Sequence, residues 1–95
     1  MSHNYATQVA SDIDRDGVGV ELLSETGEVV AEVFRSDRDH TAVVNTFSFD
    51  VPLRALELLL AQANARLNPF EDGSGLDSAQ VGPPQRLDPV QRGGG

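Results

Sequence analysis

Three aspartates at alternate positions, Asp12, Asp14 and Asp16, stand directly before Gly17. Carboxylates spaced in this way can turn their oxygens toward one hard cation, and a glycine after them permits the sharp turn such a loop needs. A second group with chemical potential is His40, adjacent to Asp39 and three positions after Asp37. A histidine among carboxylates can serve as a base or a metal ligand. The only other histidine is His3, and the chain has no cysteine. Thiolate metal sites and disulfides are therefore excluded, and no Ser–His–Asp set can be assigned from the sequence. The expectation is a protein without catalytic residues or a resident cofactor, and not an enzyme.

The run Asp12-Ile13-Asp14-Arg15-Asp16-Gly17 resembles the first half of an EF-hand calcium loop, which would imply Ca2+ as the ion and Asp12, Asp14 and Asp16 as metal ligands. The second half departs from that pattern. Leu23 stands where a bidentate Glu should close the loop, and Gly19 where a branched apolar residue belongs. Glu21 or Glu25 would have to close it instead. At the other end, Arg92-Gly93-Gly94-Gly95 is similar to the Arg-Gly-Gly ending of ubiquitin-like modifiers and sulfur carriers. That likeness implies a carrier or precursor whose C-terminal tail is the substrate of a modifying enzyme.

The elements that would position these groups are legible from periodicity. Residues 1–17 show none and read as a polar, acidic N-terminal arm. Val18–Leu23 alternates Val18, Val20 and Leu22 against Gly19, Glu21 and Leu23, which is a strand. The turn Ser24-Glu25-Thr26-Gly27 leads to a second strand, 28–35, with Val29, Ala31 and Val33 opposed to Val30, Glu32 and Phe34. Thr41–Phe49 is a third strand, whose Val43, Phe47 and Phe49 read as core. Asp50 is placed to cap a helix that has Pro52 in its first turn and ends before Pro69. Leu53, Leu56, Leu60, Ala63 and Leu67 form a 3-4 spaced stripe that should lie on the sheet. Residues 69–95 are rich in Pro and Gly and read as a flexible tail. The predicted fold is α+β: a three-stranded antiparallel β-meander with one helix on one face, a βββα domain over 18–68.

Composition narrows the partners. The chain of 95 residues carries 15 acidic residues against seven basic ones, all arginine, for a net charge of −8. That balance opposes direct nucleic-acid binding and docking on anionic membranes. No apolar run approaches the ~20 residues of a membrane span, and the first residues lack a signal-peptide pattern, so a cytoplasmic location is expected. Apolar residues on both sheet faces exceed what one helix covers. Self-association as a homodimer is expected, with Leu58, Leu59, Val30 and Phe34 as interface candidates. The function expected is a small acidic protein-binding or regulatory module, with a basic protein as a further possible partner, which it would inhibit or neutralise.

Overall fold

A computed structural model describes residues 4–12, 14 and 16–81. Among these, the chain forms β1 (Ala6–Asp12), β2 (Gly17–Leu23), β3 (Val29–Ser36), β4 (Thr41–Thr46) and α1 (Leu53–Leu67), followed by a single 3-10 turn, Leu76–Ser78. The α+β class, the antiparallel sheet and the single helix agree with the sequence reading. The strand count does not: the sheet has four strands, in the order β1-β2-β3-β4, each pair antiparallel. The extra strand comes from the segment read as an arm. Ala6-Thr7-Gln8-Val9-Ala10 has little apolar alternation of its own, and its strand conformation comes from its pairing with β2 in full register, from Ala6 opposite Leu23 to Asp12 opposite Gly17. Cross-strand context decides strand formation more than propensity does.

The register puts Val18, Val20 and Leu22 on the same face as Ala31, Val33 and Arg35. A bulge between Leu22 and Leu23 carries the ladder to Val29 and leaves Val30 as the extra residue. α1 covers this face mainly over β2 and β3, with a lighter contact to β1. The core consists of Val20, Leu22, Val30, Ala31 and Val33 from the sheet and Ala55, Leu59, Ala63 and Leu67 from the helix. The helix thus buries its 55-59-63-67 row. Of the stripe expected to be buried, only Ala63 and Leu67 are core; Leu53 and Leu60 are exposed and Leu56 is half-buried. Ala55 and Ala63 account for the difference. Their small side chains let the helix backbone approach the sheet, with Leu59 filling the space between them.

Phe34 lies on the opposite face, buried across two glycines. A Cβ at Gly17 would run into the Phe34 ring and the Arg35 carbonyl, and one at Gly19 would come within 3.5 Å of the ring. Glycine at position 17 is needed for this close approach.

Three further expectations are corrected. Phe47 and Phe49 are not core: strand pairing stops at Thr46, and the two rings are 60% and 94% exposed. Asp50 does not cap α1. It adopts a left-handed φ of 58°, and Pro52 occupies the N-cap with no side-chain hydrogen bond. Finally, the segment after α1 is docked as far as it is described. Phe70 is buried, its amide donates to the Ser74 carbonyl, and the Gln80 N–H donates to His40 O at 2.8 Å. The part of the expected tail over 82–95, including Arg92–Gly95, lies outside the described residues. No helix among the described residues is long and apolar enough to cross a membrane.

Candidate functional site

The β1–β2 loop holds the aspartates proposed as calcium ligands. Asp12 ends β1 with its backbone opposite Gly17, Asp14 is exposed in the turn, and Asp16 has a left-handed φ of 52°. The chain then enters β2 immediately, so the residues that should wrap around an ion run away along a strand. At ~3.4 Å per residue, Glu25 lies beyond the far end of β2. Glu21 is mid-strand and accepts a 2.6 Å hydrogen bond from Gln8 Nε2. Among the described residues, no three His, Asp or Glu side chains come together as a metal-holding group.

At this same end of the sheet, a pocket of about 280 Å³ is lined by Ser11, Asp16, Val18, Arg35, Asp37 and Glu71, among others. Two of its polar side chains, Arg35 and Asp37, hold the chain after α1 in place. Arg35 Nη1 donates to the carbonyls of Leu67 and Pro69, each at 2.9 Å, and Nη2 pairs with Asp37 Oδ2 at 3.0 Å. Asp37 Oδ1 accepts the Glu71 N–H at 3.0 Å. Arg35 therefore satisfies the helix C-terminus and fastens the following segment to β3.

His40, in the loop between β3 and β4, is half-buried. Its ring stacks on Phe70 with a centroid separation of 3.9 Å, and its Nε2 is 2.9 Å from Ser78 Oγ. Asp72 Oδ2 lies 3.9 Å from Nδ1. The three residue types of a hydrolytic triad are thus close together, which the sequence did not reveal because Asp72 and Ser78 are more than thirty positions away. The hydrogen bonding is not that of an activated serine. Ser78 Oγ donates to the Gly75 carbonyl at 2.6 Å, so its proton is directed away from His40. The Ser78 and Ala79 amides are also engaged, with Gly75 O and Leu76 O, and neither is available to an oxyanion. The group fastens the 70–80 segment to the β3–β4 loop.

The Asp72 carboxyl is held below the ordinary carboxylate pKa. The Ser74 hydroxyl bond lowers it first, then the Ser74 amide bond, and the nearby His40 adds a smaller effect. Ser74→Ala should raise the Asp72 pKa toward the ordinary carboxylate value, as followed by NMR titration of its carboxyl carbon. The direction follows from the sign of the linkage: donors that favour the ionised form hold the pKa down, and this contribution is lost as pH falls through the folded value.

Of the interface candidates, Leu59 is fully buried in the helix–sheet core, Val30 belongs to the same core, and Phe34 is buried on the other face. Leu58 alone is exposed. The exposed apolar surface lies elsewhere. Val43 and Val44 of β4, Phe47 and Phe49 beyond it, and Leu53 and Leu60 of α1 are all solvent-facing. Helix handedness and the sheet register place Leu53, Leu56 and Leu60 on the flank of α1 turned toward β4. Ala42, Val44 and Thr46 share the helix-side face of the sheet.

β4 is also an open edge. The Phe47 N–H donates to Val30 O, flanking the Ala31/Thr46 pair, so that pair exchanges no bonds of its own. Alternation then directs the N–H and C=O of Ala42, Val44 and Thr46 outward, away from β3. Among the described residues, only Gln80 meets this edge, at the carbonyl of His40. Part of the signal is in the sequence: residues 41–49 carry no charge, a feature they share with residues 1–11.

Comparisons with protein-family models, with curated proteins and with solved structures returned no match.

Proposed function

We propose that this chain is a protein-binding module that takes an extended segment of a partner along the free edge of β4. The observation that supports this reading is the coincidence of two features on one edge. Outward-facing backbone groups at Ala42, Val44 and Thr46 offer a template for strand addition, and exposed Val44, Phe47, Phe49, Leu53 and Leu60 border it with apolar surface. Main-chain hydrogen bonds give such a site its affinity, and pockets for alternate side chains give its specificity. Edge strands that must stay single are normally blunted by charge, proline or a bulge, and β4 has none of these.

The uncharged edge calls for an uncharged core segment in the partner. A random library of extended peptides displayed against the immobilised protein tests the reading. Selected peptides should lose binding at least tenfold to Val44→Pro, a change that removes one outward N–H. Because that N–H is not used by β3, the variant should keep its melting temperature. Selected peptides indifferent to Val44→Pro, or no selection at all, would overturn the proposal.

A further inference from the structure

We infer that the segment seated on β4 is the β4 of a second copy, paired antiparallel about a two-fold axis at Val44 so that two four-stranded sheets become one. This rests on the strand-addition reading above and names its occupant. Charge is the first argument. Two chains of net charge −8 repel each other over most of their surfaces, and the uncharged run 41–49, like the uncharged Ala6–Ser11 of the opposite edge, lets them approach without apposing carboxylates. An exogenous partner of opposite charge would be matched better by an acidic edge than by this one.

Register is the second argument. Gln80 already occupies the edge at His40, so the free template is limited to Ala42, Val44 and Thr46. Only an axis at Val44 uses all three. It opposes Val44 to Val44 of the partner copy and Ala42 to Thr46 of the partner copy, each as a hydrogen-bonded pair. An axis one residue either way leaves one of them without a mate inside this stretch. The pairing is thus self-complementary, as an isologous contact requires. A two-fold axis perpendicular to the sheet keeps both helices on one face, with Leu53 and Leu60 of each turned toward the axis. Val44, 48% exposed in the single chain, would be covered by its own counterpart.

The register gives a specific chemical test in a chain that has no cysteine. The same axis opposes Val43 to Asn45 of the other copy as a non-hydrogen-bonded pair. The Cα separation of such a pair, ~4.5 Å, lies within disulfide range. Val43→Cys and Asn45→Cys are prepared separately, mixed in equal amounts and oxidised mildly. The mixture should give a disulfide dimer on a non-reducing gel at several times the yield of either variant alone. Equal yields in all three samples would overturn the register. Sedimentation of the wild-type chain gives the complementary readout. A concentration-dependent dimer is expected by ~100 μM, strengthened as salt screens the like charges. Val44→Pro should abolish it without lowering the melting temperature measured in dilute solution, where both chains are monomeric. A wild-type chain that stays monomeric at that concentration while the peptide library still yields Val44→Pro-sensitive binders would overturn self-pairing and leave strand addition standing. Loss of both would remove the two readings together.

Discussion

Arg35→Met should detach the 68–81 segment from the sheet and lower the stability of the domain by about 3–5 kcal/mol, the usual cost of removing one partner of a buried ion pair. The guanidinium is the most heavily used polar group described in this fold. Its Nη1 serves two carbonyls at the end of α1, and its Nε and Nη2 both reach Asp37 Oδ2, at 3.3 and 3.0 Å. The side chain is only 12% exposed and that of Asp37 10%, so methionine would leave a nearly buried carboxylate uncompensated and two carbonyls without a donor. A domain of this size loses ~4–8 °C of melting temperature per kcal/mol, so calorimetry should show a fall of more than about 12 °C. Amide exchange should speed up at Phe70, Gly73 and Gln80, whose bonds depend on this segment staying in place. Arg35→Lys should recover only part of the loss, because one ammonium cannot span both carbonyls and the Asp37 carboxylate. If the melting temperature of Arg35→Met fell by less than about 3 °C, the segment would have to be held by the Phe70–His40 contact instead.

The Arg35 contacts also mark a limit on what the sequence could reveal. Val20, Leu22, Ala31 and Val33 could be read as inward-facing because their alternation is local, and the hairpin they form was legible for the same reason. The first strand was not, since Thr7, Gln8 and Ser11 interrupt any apolar alternation and only pairing with β2 makes the segment a strand. The docked segment was hidden differently. Pro69, Gly73 and Gly75 signal a break in helix and strand, which is correct, but a break in regular structure does not require detachment. Phe70 ties it down alongside Arg35, and its partner His40 lies thirty positions upstream. The open edge of β4 was half legible. The strand from Thr41 is legible, yet its Val43, Phe47 and Phe49 read as core, because β-branched and aromatic residues look alike whether a strand is central or at an edge.

The rotation of α1 about its axis is where sequence periodicity and structure disagree most, and a pair of neighbouring substitutions separates them. The 53-56-60-63-67 stripe puts Leu60 on the sheet and Leu59 at its flank, whereas the structure buries Leu59 completely and leaves Leu60 40% exposed. Leu59→Ala should therefore cost about 2–5 kcal/mol, because it opens a cavity between Ala55 and Ala63 that these short side chains cannot fill. Against a total stability of ~5–10 kcal/mol for a chain of this length, that is a large share. Leu60→Ala should cost about 1 kcal/mol or less: the lost burial is partial, and alanine is the better helix former. Both are read by urea denaturation at a protein concentration low enough that no dimer contributes. The reverse order of costs would show that the helix sits rotated by about 100°, with Leu60 facing the sheet. In that case the apolar border along β4 would lose one of its members. The stability of two alanine variants thus bears on function, since Leu60 has to be dispensable to the fold if it serves the β4 edge.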